Sequence, residues 1–274
     1  MNRKKRLLSL FETTGLGLEI GPSFNPLLPK REGYNVESLD HLNAEDLIDK
    51  YSDAPGVDIS NIEPVDFVST GSSVFLAIGI EHRYDYIVAS HVIEHTVDFV
   101  GFLKDCERLL KTDGVLVLAV PDKRFSFDVL RSLASVGDVL QAHVDGRTRH
   151  SPGAIFDEVA YNCLRGGALA WKSANSDELK FFSTLQEAKA IFEATQNDSQ
   201  FRDIHAWQFT PSSFRLLVSD LSEIGYIRLR ESRFYDGGGE FFVVLSRNGS
   251  GAGVSRMSLA QQTISEQFAI KVCI

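Results

Sequence analysis

The chain has 274 residues, 43% of them hydrophobic and 24% charged, and carries a formal charge of −9. That length suits one large domain or a domain with an insertion, and the acidic balance excludes nonspecific binding to nucleic acid or an anionic membrane, since both need a basic surface. Three widely spaced cysteines, Cys106, Cys163 and Cys273, form no C-x-x-C pair, which points to a reducing, cytoplasmic setting without structural zinc.

In chain order, Arg3-Lys-Lys-Arg6 followed by Leu7-Leu-Ser-Leu-Phe11 has the outline of a leader sequence. Glu12 interrupts the apolar stretch and no small-residue cleavage site follows, so a surface helix is expected instead. No apolar run approaches the ~20 residues needed to span a bilayer. The chain then alternates apolar strand-like runs with helical patterns, the signature of a parallel sheet with crossover helices. Strand one is Leu16–Ile20, ending at Gly21-Pro22; strand two is Tyr34–Leu39, ending at Asp40-His41. Strand three is Val65–Val68, ending at Thr70-Gly71, and strand four, Tyr84–Ala89, has the apolar character of a strand covered on both faces.

A helix is predicted over Val97–Leu110, with Val97, Val100, Leu103, Cys106, Leu109 and Leu110 on one face. Lys111-Thr-Asp-Gly114 stops it, with the glycine expected in the left-handed region. Strand five, Val115–Val120, is halted by Pro121. From Asp122 to His205 the alternation ceases. Helical stretches near 125–144, 152–164 and 177–195, with no strand between them, predict an inserted helical cap. Thr210-Pro211 then opens a helix whose apolar stripe is Phe214, Leu217, Leu221 and Ile224, before Gly225. Tyr226–Phe234 and Glu240–Leu245, joined through Asp236-Gly-Gly-Gly239, read as an antiparallel hairpin. The expected organisation is an α/β core over 1–121, the cap over 122–205, the last helix and hairpin completing the sheet over 206–247, and a peripheral, weakly helical tail over 248–274.

Glu19-Ile-Gly21-Pro-Ser23 directly follows strand one, and Asp40 ends strand two about twenty residues on. Gly21 lets the backbone approach a ligand, and a carboxylate at the second strand tip can accept hydrogen bonds from both ribose hydroxyls. Nucleotide cofactors in such sheets bind outside the carboxyl ends of the strands, where the strand order reverses. These segments, with Tyr84-Asp-Tyr-Ile-Val-Ala-Ser-His-Val-Ile-Glu-His95 and Leu109-Leu-Lys-Thr-Asp-Gly-Val-Leu-Val-Leu-Ala-Val-Pro121, resemble the successive motifs of class I S-adenosylmethionine methyltransferases. The resemblance covers roughly residues 15–121, and the terminal hairpin also suits that family's sixth and seventh strands. It implies a Rossmann-like, seven-stranded, mostly parallel sheet and S-adenosylmethionine as cofactor.

By that resemblance Glu19 and Gly21 lie near the methionine portion, Asp40 holds the ribose, Thr70-Gly71 borders the adenine and Ser90-His91 faces the reactive end. Pro22, Ser23, His41 and His95 complete the expected cofactor contacts. Ser23 and Asn25 stand where the family often has glycines, so the phosphate-cradling type of loop is absent. That suits a cofactor without phosphate and counts against NAD or ATP.

Methyl transfer mainly needs positioning, and a hydroxyl acceptor gains from a general base, for which histidine is best suited near neutral pH. The candidates are His91 at the crevice, His143 and His150 in the cap, and His205 before the last helix. His91-Val-Ile-Glu94-His95 also matches the zinc-peptidase pattern H-x-x-E-H, but it directly follows a buried strand and lacks a further glutamate on the needed face. Some quinone-pathway O-methyltransferases bind a divalent cation through E-x-x-E-H here. His91 in place of the first glutamate removes a hard oxygen ligand, so Glu94 and His95 are read as fixing the loop and no metal is assigned.

The cap run Ala142–His150 packs two histidines, an aspartate and two arginines together, and Ile204–Pro211 adds a histidine and two aromatics. Such clusters suit a sugar cleft or, equally, a solvated loop. Pro121-Asp-Lys-Arg-Phe-Ser-Phe-Asp128 and His205-Ala-Trp-Gln-Phe-Thr-Pro211 resemble methyltransferases found with bacterial surface-polysaccharide machinery. The expected activity is O-methylation of a sugar, glycan or related small molecule. N- or C-methylation of a metabolite, or a non-catalytic binding module of the same fold, are the alternatives, and G-x-G-x-x-G of a dehydrogenase is missing.

Overall fold

The computed structural model describes residues 2–69, 73–171, 178–197 and 201–268. The first part contains α1 (Arg3–Leu8), β1 (Gly17–Ile20), β2 (Val36–Asp40), α2 (Ala44–Tyr51), β3 (Phe67–Val68) and α3 (Val74–Ile78). It continues through β4 (Tyr84–Ser90), α4 (Phe99–Leu109) and β5 (Leu110–Pro121). Then come α5 (Val136–Val144), α6 (Pro152–Tyr161), β6 (Cys163–Arg165), β7 (Leu179–Phe181) and α7 (Leu185–Thr195). The chain returns through α8 (Pro211–Glu223), β8 (Arg230–Asp236), β9 (Glu240–Ser246) and α9 (Arg256–Phe268).

The main sheet has seven strands in the order β3-β2-β1-β4-β5-β9-β8. β3 through β5 run parallel, while β9 pairs antiparallel with both β5 and β8. This is the Rossmann-like α/β arrangement expected from the sequence, terminal hairpin included. Strand order reverses between β1 and β4, which opens a crevice at their carboxyl ends. β4 and β5 are buried on both faces, which explains their nearly continuous apolar sequence. On one face Leu18, Ile87, Leu118 and Val243 pack with α4 and α8; on the other, Tyr86, Val88, Val117 and Phe242 pack with Leu7 and Phe11. Gly17 is needed where β1 crosses β4, because a Cβ there would stand 2.0 Å from the Tyr86 ring.

α4 begins at Asp98, whose carboxylate accepts the Gly101 N–H at 2.8 Å. All six apolar positions read from the sequence are buried, and fully burying one such leucine stabilises the fold by about 1.5–3 kcal/mol. The helix stops as Leu110 turns extended into β5, without the expected left-handed glycine. Gly114 instead permits close packing, since its Cβ would lie 3.0 Å from the Tyr84 carbonyl oxygen. Gly225 does follow α8 with φ +81, but Ile224 leaves the apolar stripe and is exposed.

The segment between β5 and α8 departs furthest from the sequence reading. The helix expected over 125–144 is two single 3-10 turns, Lys123–Phe125 and Phe127–Leu130, followed by α5, which starts at a Ser135–Asp138 capping box. The helix expected over 177–195 begins only at Leu185, after a second box from Thr184 to Glu187. β6 and β7 form a two-stranded antiparallel sheet where no strand was expected. Three residues per strand are too few to show a period of two. In the tail, α9 packs on α8 through buried Leu259 and through Glu266, which accepts Ser212 N–H and Oγ–H. No described helix is long and apolar enough to cross a membrane.

Candidate active site

A cavity of about 1510 Å³ opens at the reversal point, bounded by the loops that leave β1, β2 and β4. Gly21, Pro22 and Ser23 line it from β1, Asp40 and His41 from β2, and Ser90 and His91 from β4. Asp40 is nearly fully buried; its Oδ2 accepts Ser23 N–H at 2.8 Å, and its Oδ1 faces His41 N and Nδ1 at 2.8 and 2.6 Å. A carboxylate has about four acceptor sites, so these three contacts orient Asp40 and leave acceptor capacity at the strand tip.

Glu19 lines the same cavity, but its carboxylate turns back into the loop that follows β1. Its two oxygens accept Leu27 N–H at 2.7 Å and Leu28 N–H at 2.9 Å, tying that loop to the strand. Burial raises its pKa to about 7, against the opposing pull of those two hydrogen bonds. Gly21 has φ +68, and a Cβ there would meet Val92 Cγ2 at 2.8 Å, so the glycine lets the β1 and β4 loops approach each other. Ser23 and His91 also hold positive φ, 49° and 54°, without being glycine. Such strain is held only where neighbours fix the backbone, here Asp40 on Ser23 N–H and the Ala119 carbonyl on His91 N–H at 2.9 Å. Thr70 and Gly71, expected beside the adenine, lie outside the described residues; Ser69 just before them lines the cavity.

One stretch of the cavity lining is tied by a contact that the sequence did not reveal. Arg3 of α1 donates to both oxygens of Glu240, at 2.6 and 2.7 Å, and to Ser90 Oγ at 2.8 Å. His91 Nε2 reaches Glu240 Oε2 at 2.9 Å. Burial pushes the Glu240 carboxyl up, but the hydrogen bonds from His91 and Arg3 outweigh it and bring the pKa down to about 2. The terminal basic run gave no hint of a specific partner, because Glu240 is reached only through the closed sheet.

Across the cavity, the wall comes from the 122–205 segment and the hairpin turn: Phe125, Arg147, Trp171, Phe201 and Asp203, with Gly237–Gly239. Trp171 Nε1 donates to the Arg124 carbonyl at 2.9 Å and the Arg165 guanidinium lies 4.9 Å from its ring centroid, which together fix the largely buried indole in the wall. The expected histidines separate here. His91 and His95 line the cavity, whereas His143, His150 and His205 are outside its lining. His143 Nδ1 binds Asp98 at 2.7 Å and so buttresses the start of α4. His150 is buried against Phe201, and burial brings its pKa down to about 4. His205 Nδ1 lies 2.5 Å from Asp128 Oδ2; burial lowers its pKa, but that bond outweighs it and the net shift is upward.

His95 is set differently. Its Nδ1 stands 2.8 Å from Asp203 Oδ1, a partner not singled out from the sequence, and its ring meets His205 edge-on at 4.5 Å. The His95 ring beside it is the main reason Asp203 falls to about 2. The Glu94 carbonyl accepts Ala206 N–H and Trp207 N–H at 2.7 and 3.1 Å, and Trp207 Nε1 donates to the Thr96 carbonyl at 2.6 Å. The turn after β4 and the strand-like run before α8 are thereby stitched together.

The charges around the cavity are mainly acidic: Asp40, Asp98, Asp105, Asp203 and Glu240. Its two arginines are engaged, Arg3 by Glu240 and Arg147 by Asp145 at 2.9 Å. Such a lining disfavours a pyrophosphate and suits a nucleoside bearing a positive sulfonium. The residues present therefore fit S-adenosylmethionine.

Comparison with known proteins gives a match between residues 4–164 and a family described as a methyltransferase domain. No curated protein sequence matches the chain. Among solved structures, an S-adenosylmethionine-dependent methyltransferase from Aquifex aeolicus is 12% identical, with 89% of this chain and 88% of that one covered and a TM-score of 0.43. The CcbJ methyltransferase from Streptomyces caelestis is 10% identical over 89% and 93% of the two chains, TM-score 0.45. A protein described as a putative zinc-dependent alcohol dehydrogenase from Rhodobacter sphaeroides is 12% identical over 89% and 88%, TM-score 0.47. At these values the three likenesses bear on neither activity nor substrate.

Proposed function

The chain belongs to the methyltransferase-domain family, and on that premise we propose that it uses S-adenosylmethionine to methylate a hydroxyl of a small acceptor, a sugar or glycan precursor first among them. The observation that carries this reading is one cavity with two unlike halves. Asp40 stands at a strand tip in one half, and Trp171 with Phe125 and Arg147 walls the other. Aromatic side chains beside polar ones suit a sugar ring with its hydroxyls. A cytoplasmic setting fits the free thiols of Cys106 and Cys163.

When bound, S-adenosylmethionine supplies the methyl carbon: a C–O bond forms as the C–S bond breaks, its electron pair going to sulfur to give S-adenosylhomocysteine. The chain's own contribution is placement and removal of the hydroxyl proton. Asp40 fixes the nucleoside, and the 122–205 segment presents the acceptor hydroxyl. Of the histidines in the cavity wall, His41 and His95 each have an aspartate near Nδ1, Asp40 and Asp203, and His95 is the one whose ring also meets His205 of the 122–205 segment. The hydroxyl proton is lost on the side of the cavity that His95 lines.

Transfer of radiolabelled methyl to a panel of sugar nucleotides, oligosaccharides and amines tests this. The expected product is an ether on a sugar, with turnover in His95→Ala down roughly 10²–10⁴-fold, the usual scale for losing assistance to proton transfer, and cofactor affinity retained. Label appearing only on nitrogen or carbon, or full turnover in the variant, refutes the reading.

A further inference from the structure

Glu94 is fully buried, and neither of its carboxylate oxygens has a hydrogen-bond partner among the described residues. A buried carboxylate without partners is costly enough that native structures satisfy it with a donor, a proton or an ion. The His95 and His205 rings stand beside it, and one donor atom from each of the three residues lies within 4.8 Å of the other two. His95 Nε2 is 3.9 Å from Glu94 Oε1.

Both imidazoles have a carboxylate beside Nδ1, though only His205 makes a hydrogen bond there. Nδ1 of His205 is engaged by Asp128 at 2.5 Å, and Nδ1 of His95 faces Asp203 at 2.8 Å. Each Nε2 is therefore the nitrogen left to face the cluster. A carboxylate holding the far nitrogen of a histidine is the usual support of a metal-ligating imidazole, fixing its tautomer and making it a stronger ligand. Arg131 Nη1 binds Asp128 Oδ1 at 2.9 Å and the His205 carbonyl at 2.6 Å, so the support is itself anchored.

We propose that Glu94, His95 and His205 bind one divalent cation of the zinc class. Two imidazole nitrogens and one carboxylate suit zinc, whereas magnesium and calcium prefer oxygen-only shells. Ligand atoms around tetrahedral zinc stand about 3.3 Å apart at Zn–N near 2.0 Å, so side-chain rotations of about an ångström close the site. Three protein ligands leave a fourth position, and His95 is the ligand that lines the cavity. In the proposed O-methylation, on which this role for the ion rests, the acceptor hydroxyl takes that position. There it loses its proton to water at neutral pH, as metal-bound hydroxyls do. The third ligand is what the Glu-His segment alone could not reveal, since His205 arrives from the far side of the 122–205 segment.

The test is cobalt binding to the full chain after chelator dialysis, followed by elemental stoichiometry and the visible absorption of cobalt in a low-coordinate nitrogen–oxygen site, with circular dichroism confirming the fold. The expected result is one cobalt per chain, displaced by zinc. Glu94→Gln and His205→Gln should lose it, Asp128→Asn should bind roughly 10–100-fold more weakly, and His143→Gln, outside the cluster, should bind as wild type does. His95→Gln, at a partly exposed ligand, decides the matter should the buried variants fail to fold. A folded apoprotein that takes up no stoichiometric cobalt overturns the proposal, as do ligand variants that bind it unchanged. S-adenosylhomocysteine titration of the same samples separates the two readings. Cobalt binding without nucleoside binding sinks the methyltransferase mechanism alone, and nucleoside binding without cobalt sinks the cation site alone.

Discussion

Glu19 at the end of β1 and Glu94 in the turn after β4 are both buried at the roots of loops that build the cleft, yet their surroundings are opposites. Glu19 spends both oxygens on backbone N–H groups of Leu27 and Leu28. Glu94 has no partner for either oxygen among the described residues and two histidine rings beside it. The first holds a loop in place, whereas the second has the surroundings of a ligand group. Burial of an acidic side chain near a cofactor cleft does not by itself say which of these it is; the hydrogen-bond inventory does.

The sharpest way to break this contrast is to remove the Glu19 carboxylate. Glu19→Ala leaves two buried N–H groups unpaired and should destabilise the fold by about 2–5 kcal/mol, measured by denaturant unfolding; a smaller loss than that of Glu94→Ala would invert the two roles. The pH profile adds a sign. With a folded pKa of about 7 against 4.5 when unfolded, Glu19 favours the folded state fully below pH 4.5. That contribution fades as pH rises through 7, by up to about 3 kcal/mol at about 1.4 kcal/mol per pH unit. Glu19→Gln should flatten this slope between pH 4.5 and 7.

The next effect in size is on the ligand rather than the fold. Asp40→Ala should weaken S-adenosylmethionine binding by about 1–3 kcal/mol, the scale for charge-assisted hydrogen bonds, read by calorimetric titration. Unchanged affinity would detach Asp40 from the ribose. The smallest effect belongs to the contact between Arg3 and Glu240. Arg3→Ala removes a half-exposed pair with Glu240 and should cost no more than about 1 kcal/mol in cofactor affinity, an effect that added salt erases. Glu240, held near 2, contributes stability above pH 4.5 that is lost as pH falls through 2; an identical acid limb in Glu240→Gln argues against that contact.

The parallel half of the sheet was legible because burial on both faces writes itself into β4 and β5 as continuous apolar runs, and because Asp40 falls at a strand tip. The 122–205 segment was not. Its strands are three residues long, and its 3-10 turns carry no period to detect. The histidines show the same limit within the site. Their chemistry was visible in the sequence, but only the closed sheet puts His205 against Glu94 while sending His143 to Asp98. Asp203 and Glu240 went unnoticed for the same reason, each acquiring its partner from an element far away in the chain. Gly21 stood out in the sequence as a close-approach residue, and the fold adds a neighbour the sequence did not show, Val92 of the β4 loop.

A crystal structure of the protein grown with S-adenosylhomocysteine tests the central claim most directly. The expected density lies at the carboxyl ends of β1, β2 and β4, with the ribose hydroxyls on the Asp40 carboxylate and the sulfur turned toward His95. Nucleoside bound elsewhere, or a ribose that ignores Asp40, contradicts the account.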